Sequence, residues 1–285
     1  MDRPAHRCSR SSVLKQRIVT GAVLAFLLLG CVLSGAQILL SLLLGVFVSF
    51  AAWEWSGLTG CPQAKLRILY AVLVTSSLPF FYRSFTTPWV TGIVMFGTLW
   101  WCIAAVMVFC YQAGREPIPA SRLAGALLGF FVLVPAWAGL VDLYPNRRGP
   151  QLLLLFFVMI WLVDSMAFFT GRRWGNRRLA SRVSPGKSWE GFFAGILASL
   201  LAGLVYVAYE NISGLTGMWL ILLCLTSAAF SVIGDLFVSM FKRNINVKDT
   251  SHLLPGHGGV LDRIDSITAS APVFAAGIWM LGDKL

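Results

Sequence analysis

Long apolar runs separated by short polar turns recur from one end of the chain to the other. Nine can be marked, at about 18–33, 37–55, 66–81, 89–111, 123–143, 151–170, 189–209, 218–241 and 266–281. Each is near the ~20 residues that a helix needs to cross the hydrocarbon core of a bilayer. The pattern predicts an all-α integral membrane protein with about nine transmembrane helices. No internal repeat and no low-complexity linker divides it, so the membrane part reads as one domain. The run at 18–33 has a second reading as a signal peptide, because Ser34-Gly35-Ala36 supplies small residues and Leu28-Leu29-Gly30-Cys31 is loosely like a lipoprotein box. A retained first helix is favoured, since no soluble mature domain follows.

Composition agrees with the pattern. The chain is 57% hydrophobic and 12% charged, where a soluble domain carries about 25% charged residues. The six cysteines are scattered without a CxxC pair, most of them in apolar runs where the thiol behaves as a small hydrophobe. A net charge of +11 becomes informative only once the charges are placed. With the basic tail (Arg3, Arg7, Arg10, Lys15, Arg17) set in the cytoplasm and the spans alternating, the inside also receives Lys65, Arg67, Arg115 and Arg122. It further receives Arg172, Arg173, Arg177, Arg178, Arg182 and Lys187, then Lys242, Arg243, Lys248 and Arg263. Nineteen of the 23 Lys and Arg then lie inside, leaving Arg83, Arg147, Arg148 and Lys284 outside. That asymmetry is the positive-inside rule, and it predicts a cytoplasmic N-terminus and an external C-terminus. The positive charge faces anionic headgroups, and no nucleic-acid partner is implied.

Polar chemistry is concentrated late in the chain. In the stretch 239–265, SMFKRNINVKDTSHLLPGHGGVLDRID, four Lys/Arg, three Asp, two His and a Gly-His-Gly-Gly turn crowd together. Asp262 and Asp265 are three apart, which on a helix puts both carboxylates on one face, roughly 5–6 Å apart at Cβ, a spacing suited to a shared divalent ion. Asp235, Ser239 and Lys242 fall at i, i+4 and i+7, one polar stripe on an otherwise apolar helix. Asp164, Asp235 and Glu190 lie within or at the edge of apolar runs. A charged group at a helix centre costs about 2.5–3.5 kcal/mol on insertion scales, so each needs a reason. An internal ion pair with an Arg would supply one for Asp164 or Asp235; convergence on a metal at the cytoplasmic side is favoured.

Two turns complete the inventory. Ser184-Pro185-Gly186-Lys187-Ser188-Trp189-Glu190-Gly191 lacks the upstream glycine and strand of a P-loop, but it leaves Lys187 beside a helix N-terminus, an anion-binding arrangement. The cations from Arg172 to Arg182 read more simply as a topology-enforcing loop. Pro255-Gly256-His257-Gly258-Gly259 can bring backbone N–H groups close to a phosphate. Zinc held by His252, His257 and Asp262 is a thin alternative, with two His on one loop and no Cys. Together the residues describe a membrane-embedded, metal-dependent enzyme acting on a phosphate-bearing lipid.

The fixed positions are more specific than that. Ser239, Phe241, Lys242, Arg243, Lys248, Asp249, Ser251, Leu254, Pro255, His257, Gly258, Gly259, Val260, Asp262, Arg263, Ile264 and Asp265 resemble the signature of the phosphatidate cytidylyltransferases (CDP-diacylglycerol synthases). Asp164-Ser165-x-Ala167-Phe168 and the turn 184–191 resemble the family's other two cytoplasmic motifs, with Ser188 where Thr is usual. Leu14-Lys15-Gln16-Arg17-Ile18 looks like the usual bacterial start, so 1–13 reads as a basic extension, 14–285 as the polytopic domain and about 150–285 as its catalytic part.

The resemblance implies transfer of CMP from CTP to phosphatidate, giving CDP-diacylglycerol and diphosphate, with Mg²⁺ and room for a second cation. It implies Asp235 and Asp262 as metal ligands with Asp265 beside them, and Lys187, Lys242, Arg243 and Lys248 as neutralising cations. Gly256, Gly258 and Gly259 would hold phosphate oxygens, while Ser239, Asp249, His257, Arg263 and Asp164 would lie in the substrate site. The implied setting is the bacterial inner membrane, with CTP, phosphatidate and membrane lipids as partners; the oligomeric state is left open, a homodimer among the options. A transporter of anionic phosphate-bearing metabolites, or another lipid phosphotransferase, is the competing reading. The CDP-alcohol phosphotransferase pattern needs more than Asp262-x-x-Asp265, and a transporter should show repeat halves with midplane binding groups.

Overall fold

The computed structural model describes residues 5–83, 88–116, 118–119, 121–254, 256 and 258–282, with the side chains of 5–15, 17, 18, 83 and 88 left out. Among the described residues the chain forms nine helices and one small hairpin. The helices are α1 (Ala5–Leu33), α2 (Gln37–Leu58), α3 (Ala64–Arg83), α4 (Pro88–Gln112), α5 (Arg122–Leu143), α6 (Gly149–Trp174), α7 (Trp189–Tyr209), α8 (Gly214–Asn244) and α9 (Leu261–Leu281). Eight are long and apolar enough to cross a membrane. The first differs: α1 is long, but its apolar part is the shorter stretch Val19–Leu33. It is still seated in the bundle, with Leu28 and Val32 buried and the Val32 carbonyl accepting from the Tyr144 hydroxyl at 3.2 Å.

Several helices outrun the apolar stretches that announce them. The sequence marks 151–170 and 218–241, yet α6 runs on through Arg172 and Arg173, and α8 through Lys242 and Arg243. Cations in a last turn lie at the negative end of the helix dipole, which favours the extra turn. Helix α9 begins at Leu261, ahead of the marked run, so Asp262 and Asp265 are helical. Between α6 and α7 the chain forms an antiparallel hairpin, β1 (Arg178–Ala180) and β2 (Ser184–Ser188), with Arg178 opposite Ser188 and Ala180 opposite Ser184.

The core is organised around α9. In its apolar window 78% is buried, against 11% for α3, so α9 is central and α3 peripheral. Trp55 of α2 meets Phe241 of α8 with ring centroids 4.8 Å apart, and Phe156 of α6 meets Phe274 of α9 at 5.3 Å. Small residues let the helices approach, as is usual where lipid removes the hydrophobic drive for association. A side chain on Gly234 of α8 would collide with the Asp265 carbonyl of α9. That close crossing brings the acids of α8 and α9 to one place. At the same end of the bundle, Arg182 N–H donates to Gln112 Oε1 at 3.0 Å, fixing the hairpin to the end of α4. At the opposite end, Arg148 pairs with Glu210 at 3.3 Å.

Candidate active site

A polar cavity of about 810 Å³ opens at the hairpin end of the bundle. Six elements build its wall: α6 gives Asp164 and Arg172, the hairpin Arg178 and Lys187, α7 Gly191 and Phe192, α8 Asp235 and Lys242, the following loop Asp249, and α9 Asp262, Arg263, Asp265 and Ser266. Asp235 and Asp262, drawn from different helices, face the same space.

Each of those two carboxylates holds a lysine. Lys187 Nζ lies 2.6 Å from Asp235 Oδ2, and Ser239 donates to Asp235 Oδ1 at 3.1 Å across one turn of α8. Lys242 Nζ lies 2.8 Å from Asp262 Oδ1. The other Asp262 oxygen accepts from Thr250 N–H (2.9 Å), the Thr250 hydroxyl (3.0 Å) and Gly259 N–H (2.9 Å). Asp265 is buried and accepts from the Ser266 N–H at 2.8 Å. Asp164 accepts from the Ser266 hydroxyl at 3.3 Å, which ties α6 to α9. An ion pair does satisfy Asp235, as the simpler sequence reading allowed, but its cation is the hairpin Lys187.

The remaining sequence candidates divide. Arg243 donates to the carbonyls of Val183 and Val247, both at 3.2 Å, and so joins α8 to the hairpin and the loop. Lys248 is exposed and off the cavity wall. Gly258 accepts from Leu254 N–H at 2.9 Å, closing the glycine turn on itself, while the Gly259 N–H serves Asp262. Gly256 lies in this turn, at φ +75°. His257 and Pro255 lie outside the described residues, and His252 is exposed. Glu190 stands at the edge of its apolar run, in the first turn of α7, and accepts from Arg177 N–H at 3.2 Å. Ser188 caps the same helix through Gly191 N–H at 3.2 Å.

Sequence reasoning missed three contributors. Arg172 and Arg178, read as topology signals, line the cavity. Glu54 in α2, between Trp53 and Trp55, is 1% exposed and bonded to the loop before α9. The basic run at 172–182 could have flagged the two arginines. Nothing local flags Glu54.

Beside the cavity an apolar groove of about 660 Å³ runs between α6 and α7, walled by Leu155, Leu162 and Met166 on one side and Ala194, Leu201 and Val205 on the other. Met166 and Ala194 end it, and the neighbouring Ala167 and Gly191 already line the polar cavity. Polar space and apolar groove therefore adjoin along two shared helices.

The profile of the cytidylyltransferase family matches residues 15–281. This chain belongs to the cytidylyltransferase family. It is 42% identical over 276 residues to a Pseudomonas aeruginosa protein named phosphatidate cytidylyltransferase, covering 95% of this chain and 98% of that one. A protein of the same name from Haemophilus influenzae is 34% identical over 289 residues, covering 92% and 98%. The family match spans every wall residue of the cavity and both sides of the groove.

The carboxylates bear on whether a divalent cation fits. Among the described residues no three His, Cys, Asp or Glu side chains form a ready-made metal cluster. Yet Asp265 is buried, forms no ion pair among the described residues, and lies within electrostatic reach of Asp235 and Asp164 as well as Lys242 and Lys187. Hard oxygen donors suit Mg²⁺, which takes one or two carboxylates and completes its shell with water and substrate phosphate.

Proposed function

We propose that the protein is a CTP:phosphatidate cytidylyltransferase that makes CDP-diacylglycerol and releases diphosphate. One observation carries the reading: a cavity of carboxylates and cations adjoining an apolar groove long enough for lipid chains. From Gln151 to Met166 the groove follows α6 for about 22 Å at 1.5 Å per residue. A lipid phosphate would sit in the polar space while its acyl chains stay in the bilayer, along α6 and α7. No soluble phosphate donor needs such a groove, and a transporter would place its binding groups near the midplane instead of at one end.

In this reading Arg172, Arg178, Lys187 and Arg263 bind the phosphates of CTP and phosphatidate. A phosphatidate oxygen forms a bond to the α-phosphorus of CTP, and the bond from that phosphorus to the β-bridging oxygen breaks. Diphosphate leaves with the electron pair. The attacking phosphate is already anionic, so no general base is required, and charge neutralisation with in-line positioning is the larger task. Asp235, Asp262 and Asp265 would hold Mg²⁺, with Asp164 alongside, and the ion would supply neutralisation of phosphate charge. Lys187 would compete with it for Asp235. Lys242 holds Asp262 in place from the α8 side. The hairpin end is assigned to the cytoplasm of a bacterial inner membrane, because nineteen of the 23 Lys and Arg fall on that side of the alternating chain.

The test is reconstitution. Purified protein in liposomes, given labelled CTP, phosphatidate and Mg²⁺, should form CDP-diacylglycerol and an equal amount of diphosphate. Failure with phosphatidate, or equal turnover with a lipid that lacks the phosphate, would overturn the assignment.

A further inference from the structure

Glu54 is a buried carboxylate with no cation against it among the described residues. Four donors satisfy it, and all come from one segment about two hundred residues further along the chain. Oε1 accepts from the Ser251 hydroxyl at 2.6 Å and Val260 N–H at 2.9 Å. Oε2 accepts from the Thr250 hydroxyl at 3.0 Å and Leu261 N–H at 2.6 Å. Leu261 opens α9, whose own N-cap residue, Val260, offers no side-chain bond. The first N–H groups of a helix need acceptors from outside it. Glu54 provides them from α2, where a negative charge also meets the positive end of the α9 dipole.

The next residue of α9 is Asp262, and its Oδ2 uses the same segment: Thr250 N–H, the Thr250 hydroxyl and Gly259 N–H. The Thr250 hydroxyl stands 3.0 Å from both carboxylates and has one proton to give. A Cβ on Gly259 would overlap the Thr250 hydroxyl and crowd the Glu54 carboxylate at 2.6 Å, so the segment closes around Glu54 without spare room. Glu54 itself is absent from the cavity wall, whereas Asp262 is on it.

From this geometry we infer that Glu54 is a positioning residue, which fixes the 250–261 segment so that Asp262 presents Oδ1 to the cavity and to Lys242. The inference rests on the transfer reaction proposed above for its kinetic readout, but not for its structural one. Glu54→Gln keeps the size of the side chain and turns an amide N–H₂ towards two of the four donors. In full-length reconstituted protein, kcat should fall about 10- to 100-fold, the usual cost of losing such a supporting partner. KM for CTP and for phosphatidate should move less than about threefold, because the phosphate-binding cations stand on other elements. A purely structural role would instead lower the yield of folded protein and leave kcat unchanged in what remains.

Thr250 decides the matter if Glu54→Gln fails to fold. Thr250→Val should lower kcat about 3- to 10-fold, one hydrogen bond's worth, and Thr250→Ser should restore it. Wild-type kcat in Glu54→Gln or in Thr250→Val would overturn the inference. If the wild-type protein makes no CDP-diacylglycerol, the functional reading fails and amide hydrogen exchange still tests the positioning. The Thr250 and Gly259 amides, which bond Asp262 and not Glu54, should exchange faster in Glu54→Gln; unchanged protection would sink the proposal.

Discussion

Two Asp–Lys pairs stand on the wall of one cavity, and they are built differently. Lys242–Asp262 is nearly sealed, with side chains 9% and 5% exposed, and three further donors hold the second oxygen of Asp262. Lys187–Asp235 is open, at 25% and 31%, and its lysine comes from a hairpin instead of a transmembrane helix. A sealed pair is fixed by its surroundings, and breaking it strands a charge out of water. A pair that water partly reaches contributes less to stability and exchanges its partner more readily. The difference separates two carboxylates within a single cavity: Asp262 is held by four donors, while Asp235 is the more open of the two.

The comparison can be broken most directly at Asp262. Asp262→Asn should abolish transfer and also destabilise the protein by about 3–5 kcal/mol, because Lys242 is left buried without its counter-charge; thermal unfolding in detergent reads the second effect. Asp235→Asn should abolish transfer too, yet unfold within a few degrees of wild type. If the two variants lost stability equally, the distinction between sealed and open pairs would be wrong.

Gly234→Ala sharpens it from the backbone side. The added methyl meets the Asp265 carbonyl and Ala269 where α8 crosses α9. Overpacking of this kind costs about 1–3 kcal/mol, and prising the helices apart should lower kcat along with the unfolding temperature. The smallest expected effect is in the groove. Leu201→Trp should raise KM for long-chain phosphatidate by about 3- to 10-fold, through roughly 1 kcal/mol of lost contact, and leave a short-chain analogue unchanged. An equal rise for both lipids would place the acyl chains elsewhere.

Much of this was legible along the chain. The spans showed themselves because twenty apolar residues in a row have few uses other than crossing a bilayer. The polar stripe of α8 was readable from helical spacing alone, and Ser239 does bond Asp235 within that helix. The third member of the stripe behaves otherwise: Lys242 turns to α9, and Lys187 arrives from the hairpin to take Asp235. Spacing cannot announce a partner on another element. The arginines at 172 and 178 were misjudged for the same reason, since a basic loop that enforces topology and one that folds over a cavity have the same composition. The hairpin escaped notice because it is short and its Pro-Gly pair reads as a turn.

The sequence by itself determined the membrane class, the helical content, the family, and which late segment holds the acids and cations. These follow from local properties: hydrophobic length, helical periodicity and the order of polar residues in a motif. Only the tertiary structure decided which lysine neutralises which aspartate, that a groove between α6 and α7 adjoins the polar cavity, and that an acid of α2 begins α9. Those are contacts between residues tens to two hundred positions apart. They exist because glycines such as Gly234 let helices approach closely, and because a buried carboxylate must find donors wherever the fold brings them.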